Sequence, residues 1–139
     1  MRTLKMSKYN ARKTTIDGVR FDSEMEGKYY VHLKELKQKG EIKDFELQPS
    51  FTLQPKFTKD GVTYHAITYK ADFRIIHNDE TTEVVDIKGQ VLPLFKLKEK
   101  MYRYKYDEKL TLLTYVNKYG GWIEVKKLEQ IRKENRKKK

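Results

Sequence analysis

A strand–helix–strand passage in the second half of the chain restricts the possible folds more than any other feature. The segment TTEVVDIKG is rich in β-branched residues and predicts a strand, and KLTLLTYV is a near-continuous apolar run typical of a strand buried on both sides. Between them, Pro93 begins the helical pattern PLFKLKEKMYRYKYD. Two strands joined through a helix are expected to lie parallel in one sheet, connected by a right-handed crossover.

The residues before this passage predict one capped helix and several strands. In FDSEMEGKYYVHLKELKQKG, Ser23 is a good N-cap, Glu26 completes a capping box three positions later, and Gly40 ends the helix. The Asp-Gly pairs of TTIDGVRF and KFTKDGVTY predict two-residue hairpin turns. IKDFELQPSFTL reads as a strand interrupted by Pro49, and VTYHAITYKADFRII reads as a strand. This order of elements predicts an α/β or α+β fold, with a mixed central sheet flanked by helices.

We expect the chain to form one domain with basic ends. A length of 139 residues is enough for a single hydrophobic core. Residues 1–15 are basic and poor in large apolar residues, which predicts a flexible arm. The globular domain is expected to span residues 16–125, and residues 126–139 are expected to form a basic tail with at most a short helix.

The net charge of +11 at pH 7 is the strongest global indication of function. Lysine and arginine side chains that neutralise phosphates release counterions, so a polyanion such as a nucleic acid is the expected partner. The ten tyrosines, many of them beside basic residues, offer stacking surfaces for bases. The alternative is a soluble protein that is merely basic.

The composition also excludes several classes of protein. Cysteine is absent, which rules out disulfide bonds and cysteine-based zinc sites. No apolar run approaches the roughly 18 residues of a membrane span. The basic N-terminus lacks the apolar region of a secretory signal. We therefore expect a cytoplasmic protein without a membrane partner.

Three charged residues lie within strand-forming sequence: Asp72 in YKADFRII, and Asp86 and Lys88 in EVVDIKG. Because side chains alternate across a strand, Asp86 and Lys88 share one face. If the two strands pair through the turn at HNDETT, Asp72 and Asp86 lie side by side. Neighbouring carboxylates repel each other, and a divalent cation or a raised pKa relieves the repulsion. The alternative is an ordinary hairpin with one charged, solvated face.

The predicted cluster offers only oxygen ligands, which suit Mg²⁺ or Mn²⁺. Lys88 is placed to steady a scissile phosphate or to lower the pKa of an attacking water. Glu26 has two interpretations that the sequence leaves open. It completes the capping box with Ser23, and it also lies at the edge of the buried helix face, where a carboxylate can complete a metal site.

The second predicted helix carries two stripes of side chains on different faces. Both stripes follow from helical spacing, and the basic one is expected to track a nucleic-acid backbone without specifying its sequence. The apolar stripe contains Leu94, Leu97, Met101 and Tyr104, and the basic stripe contains Lys96, Lys100 and Arg103.

Four motifs, FDSEMEGKYY, ELQP, YKADFRI and VVDIKG, occur in this order and resemble the PD-(D/E)XK nuclease superfamily. Within it, the chain resembles a small phage-encoded, resolvase-like family of uncharacterised function. The resemblance runs from about residue 19 to residue 106, and it implies a restriction-endonuclease-like core. Two positions depart from the superfamily pattern: Ala71 stands where a proline is usual, and Asp86 stands where glutamate is commoner.

The resemblance implies a Mg²⁺- or Mn²⁺-dependent DNA endonuclease. Its metal ligands are expected to be Asp72, Asp86 and the carbonyl of Ile87, with Glu26 joining directly or through water. Lys88 is expected to orient and activate the attacking water. Gln48 matches a glutamine that recurs beside the site in resolvase-like members, and Gln90 is a weaker candidate for substrate contact.

The expected substrate is branched DNA, such as a Holliday junction in phage recombination, because no element reads as a base-specific motif. Symmetric cutting of two strands requires a homodimer. One alternative is a catalytically inactive DNA-binding protein that uses the nuclease fold as a scaffold. Others are an adaptor whose basic tail binds an acidic partner, and a nuclease that acts on RNA.

Overall fold

The computed structural model describes residues 12–138, within which the chain forms eleven strands and three α-helices. The strands are β1 (Thr14–Ile16), β2 (Val19–Phe21), β3 (Asp44–Leu47), β4 (Ser50–Gln54), β5 (Phe57–Lys59), β6 (Val62–Tyr64), β7 (Ile67–Lys70), β8 (Phe73–Ile76), β9 (Thr82–Ile87), β10 (Lys109–Val116) and β11 (Gly121–Glu124). The helices are α1 (Glu24–Gln38), α2 (Pro93–Lys105) and α3 (Val125–Lys137), and a 3₁₀ turn spans Asn117–Tyr119. Most of the predicted N-terminal arm, residues 1–11, lies outside the described residues.

A five-stranded mixed sheet forms the centre of the molecule, in the order β11-β10-β9-β8-β3. Strands β9 and β10 are parallel and are joined through α2, as the strand–helix–strand pattern predicts. The remaining neighbours in this sheet pair antiparallel. The predicted α+β fold, with a mixed sheet flanked by helices, is therefore confirmed.

The two faces of the sheet carry separate hydrophobic cores. On one face, α1 packs its buried Tyr29, Tyr30 and Leu33 against side chains that include Val85 of β9. On the other face, Tyr102 of α2 packs in a second core whose members are Phe51, Leu53, Tyr69, Ala71, Val84 and Leu110. The alternation of Val84 and Val85 between the cores shows that β9 is covered on both sides.

Helix α1 begins and ends where its capping residues predict. The backbone N–H of Glu26 donates to Ser23 Oγ over 3.1 Å, and Gly40 adopts a φ of 77° just after the helix. The β1–β2 hairpin lies against the first turn at Gly27, where an added Cβ would approach Thr14 Cγ2 to 2.8 Å. This close approach holds the N-terminus of α1 against the hairpin.

The chain between β3 and β8 forms a long antiparallel arm, with the predicted Asp-Gly turn at its tip. The arm bends where Gln48, with a φ of 51°, donates its N–H to the Asp72 carbonyl over 2.9 Å. Beyond the bend, β4 pairs with β7, and β5 pairs with β6 around the Asp60–Gly61 turn. Breaks at residues 65–66 and 71–72 interrupt the strand that the sequence reads as continuous.

Helices α2 and α3 bury different residues from those that the sequence predicts. Three members of the apolar stripe of α2 face outward, with Leu94, Leu97 and Tyr104 exposed by 64%, 54% and 95%, whereas Met101 packs against the second core. The buried residue of α2 is instead Tyr102. Residues 125–137, most of them predicted as a tail, form helix α3, which buries Leu128. No helix among the described residues is long and apolar enough to cross a membrane.

Candidate active site

Asp72 and Asp86 lie opposite each other where β8 and β9 pair. Phe73 is registered with Val85, so the next antiparallel position places Asp72 against Asp86. The Ile87 N–H donates to Asp72 Oδ2 over 2.8 Å. Burial and the neighbouring Asp86 both raise the pKa of Asp72, so the two carboxyl groups lie within electrostatic reach of each other. The side-by-side arrangement expected from strand pairing is therefore present, whereas the roles of the two residues stay a prediction.

Asp86 is a buried acid with two polar neighbours on one oxygen. Its exposed fraction is only 2%. Its Oδ2 accepts a 2.5 Å hydrogen bond from the Tyr69 hydroxyl, and Lys88 Nζ lies 3.4 Å from the same oxygen. Sequence patterns do not single out Tyr69, because a tyrosine in a strand is ordinary core material. Its contact with Asp86 depends on the pairing of β4 with β7 beyond the bend.

Glu26 fulfils both interpretations that the sequence leaves open. It takes part in the capping box, and Ser23 Oγ also donates to Glu26 Oε2 over 3.3 Å. At the same time, Glu26 interacts electrostatically with Asp72, whose pKa is raised by burial, by Asp86 and by Glu26. Burial raises the pKa of Glu26, and the nearby charges of Asp22 and Asp86 add to the effect. The capping glutamate thus belongs to the acidic cluster.

The pKa of Asp72 is raised far above its ordinary value. Burial is the largest cause, followed by hydrogen bonding and repulsion from Asp86 and by the charge of Glu26. The hydrogen bond from the Ile87 N–H opposes the shift only in part. Asp72 therefore favours its protonated form, and a cation that displaced this proton would relieve the crowding of three carboxyl groups.

The acidic cluster fits a hard divalent cation in the chemistry of its donors. Mg²⁺ typically uses one or two protein carboxylates and fills its other positions with water and substrate phosphate. Asp72 and Asp86 supply such a pair, and the main chain of Ile87 lies beside them at the end of β9. Within residues 12–138, no group of three or more His, Cys, Asp or Glu side chains has the geometry of a metal site. A metal ion at the acidic cluster therefore stays a prediction.

Lys88 connects the acidic cluster to a basic cleft of about 570 Å³. Its Nζ lies 4.0 Å from the centre of the Phe95 ring, and its N–H donates to the Leu113 carbonyl over 2.8 Å. The cleft brings Lys88 together with Gln90 and Lys96, which the sequence predicts to contact DNA, and with Arg132, which it does not. Its polar lining side chains include Lys88, Gln90, Lys96, Glu129 and Arg132.

The other predicted contact residues are less directly placed. Lys100 is exposed on α2 outside the cleft. Arg103 donates to the Glu99 carboxylate over 2.9 Å and to the Leu110 carbonyl over 3.2 Å, so its charge is partly neutralised. Gln48 has an exposed side chain, and it is its backbone that contacts Asp72. Arg132 was overlooked because its segment reads as a tail, although Leu128 and Arg132 follow helical spacing.

The protein is thus an α+β domain in which an acidic cluster lies beside a basic cleft. The family described as "Protein of unknown function (DUF1064)" matches residues 6–121, and the chain belongs to this family. No curated protein and no solved structure matches the chain.

Proposed function

We propose that the protein is a metal-dependent endonuclease of the PD-(D/E)XK type that hydrolyses phosphodiester bonds in DNA. The observation that carries the proposal is the paired Asp72 and Asp86 carboxyl groups, with Lys88 Nζ 3.4 Å from Asp86. A buried acidic pair costs stability unless it binds a proton or a cation. Strongly shifted pKa values of this kind concentrate at functional sites. We also propose that the central sheet and its helices form a restriction-endonuclease-like core.

In this proposal Asp72, Asp86 and the Ile87 carbonyl would hold Mg²⁺ or Mn²⁺, with Glu26 joining directly or through water. Such a cation, when bound, supplies Lewis acidity toward a phosphate oxygen. Tyr69 holds Asp86 in one orientation through its hydroxyl. The Ile87 N–H does the same for Asp72. These contacts pre-position both carboxylates before the substrate arrives.

Lys88 acts on the scissile phosphate and the attacking water. Its ammonium group lies between the acidic pair and the cleft, where a positive charge orients a water and stabilises the developing phosphorane charge. The water oxygen forms a bond to phosphorus, and the bond between phosphorus and the 3′ oxygen breaks. The 3′ oxygen takes up a proton, which leaves 5′-phosphate and 3′-hydroxyl ends.

The basic cleft supports DNA as the substrate. Lys88, Lys96 and Arg132 line it together with Gln90, and they outnumber its single carboxylate, Glu129. A net charge of +11 adds long-range attraction to a polyanion. Branched DNA is the favoured substrate, and cutting both strands of a junction would require a homodimer.

The test incubates the full chain with Mg²⁺ or Mn²⁺ and a panel of linear, flapped and four-way DNAs, with matched RNA duplexes. We expect cleavage of branched DNA that a chelator abolishes. An Asp86→Ala/Lys88→Ala protein serves as the control for contaminating nucleases. The proposal fails if no substrate is cut, or if the control protein cuts equally well.

A catalytically inactive DNA-binding protein is the second candidate. It is favoured by the basic cleft, which would attract DNA whether or not a metal is bound. Such a protein binds DNA equally well with Mg²⁺ and with a chelator, and Asp72→Asn leaves its affinity unchanged. A nuclease shows metal-dependent turnover that Asp72→Asn removes.

A further inference from the structure

The hairpin of β5 and β6 projects from the domain and takes no part in either core. Every residue from 54 to 68 is exposed. Its turn is formed by Asp60 and Gly61, with φ values of 54° and 76°. An isolated two-stranded hairpin is only marginally stable in water, and none of the residues of this hairpin is buried. The aromatic side chains of this hairpin are therefore better explained by binding to another molecule than by a contribution to the core.

The two faces of this hairpin differ in chemistry. Phe57 pairs with Tyr64, and their rings stack with centres 4.9 Å apart and planes 15° apart. Both side chains are exposed, by 41% and 47%. The opposite face carries Thr58 and Thr63, whose hydroxyl oxygens lie 3.3 Å apart. One face thus presents flat aromatic surface to solvent, and the other presents hydroxyl groups.

The charge of the hairpin and its position in the chain indicate which partner would bind the face that carries Phe57 and Tyr64. Lys56 and Lys59 flank the rings, and Asp60 is the only acidic residue of the hairpin. A second copy of this basic chain would be repelled, whereas a nucleic acid would be attracted. Tyr64 precedes Asp72 by eight residues, which span at most about 26 Å of extended chain. This distance is shorter than one turn of B-DNA, about 34 Å, so one DNA molecule can reach both places.

We propose that Phe57 and Tyr64 stack on unpaired bases at the branch point of a DNA substrate. The inference rests on the proposed function for its substrate class, and it explains how a chain without a base-reading motif distinguishes branched from linear DNA. Bases inside a duplex already stack on each other, whereas bases at a branch can leave the stack and meet an aromatic side chain. The neighbouring lysines contact the backbone and leave sequence unread.

The test measures binding in the presence of a chelator, so that it does not depend on cleavage. A four-way junction carries 2-aminopurine at the branch point, and a linear duplex carries it at an internal position. We expect the wild-type protein to change the fluorescence of the junction probe and to leave the duplex probe unchanged. Phe57→Leu/Tyr64→Leu keeps apolar side chains but removes the rings. It should abolish the fluorescence change and weaken junction binding by about 10- to 100-fold, with duplex binding within about twofold.

Two further variants separate stacking from a general effect on the hairpin. Phe57→Trp/Tyr64→Trp retains aromatic surface and should retain the signal. Thr58→Ala/Thr63→Ala alters the opposite face and should behave as wild type. Equal losses on junction and duplex, or loss of self-association in the leucine variant by sedimentation, would overturn the inference. If the leucine variant loses junction binding but no protein cleaves DNA, this inference stands and the nuclease proposal fails.

Discussion

Asp72 and Arg74 lie two residues apart at the start of β8, yet their surroundings have opposite electrostatic character. Arg74 donates two hydrogen bonds to Glu108, over 2.7 and 2.8 Å, and a third to Glu46 over 2.9 Å. These bonds raise the pKa of Arg74 and lower that of Glu108. Each charge in this cluster has a partner of opposite sign, which is the arrangement expected of a structural ion pair.

The acidic cluster around Asp72 has the reverse balance. Three carboxyl groups from Glu26, Asp72 and Asp86 lie close together, and Lys88 is the cation that the structure places against them. Burial and mutual repulsion raise the pKa of Asp72 instead of lowering it. Arg74 on β8 thus binds carboxylates of opposite charge from β3 and from the residue before β10, whereas the acidic cluster crowds carboxyl groups of like charge. This difference supports a structural role for the first cluster and a functional role for the second.

Removing one carboxylate charge from the acidic cluster should have the largest effect on cleavage. We expect Asp86→Asn to lower kcat/KM for branched DNA roughly 1000-fold, because charge stabilisation by a bound metal is worth several kcal/mol. Asp107→Asn makes the same charge change at an exposed position and should cleave normally. Cleavage assays over a series of Mg²⁺ concentrations measure the effect. Equal activity of the two variants would contradict a catalytic role for Asp86.

The matched cluster should respond in stability rather than in turnover. We expect Arg74→Met to lower the free energy of unfolding by about 2–3 kcal/mol, because it leaves the partly buried Glu108 carboxylate without its charged donors. Replacing both partners, as Arg74→Met/Glu108→Leu, should recover part of the loss. Urea unfolding provides the measurement. A loss of cleavage per folded molecule in Arg74→Met would erase the distinction between the clusters.

Asp72→Asn tests the raised pKa through the pH dependence of stability. The folded-state pKa lies above the unfolded value of about 3.8, so the folded protein binds the extra proton. The stabilisation is fully present below that value and is lost as the pH rises toward the folded-state pKa. We therefore expect Asp72→Asn to stabilise the metal-free protein at pH 7–8 by on the order of 1–2 kcal/mol.

The same variant should flatten the decline of stability above pH 4. Added Mg²⁺ should stabilise the wild-type protein and have little effect on Asp72→Asn, because the neutral amide supplies no charge to the cation. Thermal unfolding across pH, with and without Mg²⁺, measures both effects. Parallel pH profiles for the two proteins would show that Asp72 carries no excess proton.

Local signals explain why much of the fold could be predicted. Ser23 and Gly40 bound α1 through backbone chemistry that operates within a few residues, and Pro93 begins α2 for the same reason. Alternation along β9 likewise placed Asp86 and Lys88 on one face. Each of these inferences depends on the chain near the residue and on little else.

The features that were missed depend on distant parts of the chain. Tyr69 meets Asp86 because the arm bends at residues 71–72, and Arg132 reaches the cleft because Leu128 docks α3 on the sheet. Most of the apolar stripe of α2 faces solvent because Tyr102, on another face of the helix, fills the core. Helical spacing identifies a stripe but does not show which stripe the neighbouring elements cover.

The smallest effect that we expect concerns Tyr69, which orients the Asp86 carboxylate but is not itself an expected metal ligand. Tyr69→Phe removes the hydroxyl that donates to Asp86 Oδ2 and keeps the ring packed against Tyr102 and Phe95. Residues that orient metal ligands typically contribute about 10-fold or more to metal affinity. We expect a roughly 10-fold rise in the Mg²⁺ concentration for half-maximal cleavage, with the maximal rate changed less than about threefold.

Tyr106→Phe removes a hydroxyl bonded to the Thr52 carbonyl, away from the acidic cluster, and should leave the Mg²⁺ requirement unchanged. A loss of maximal rate without any shift in the Mg²⁺ requirement would instead make Tyr69 a participant in the chemical step, and the acidic cluster would then extend beyond its carboxylates.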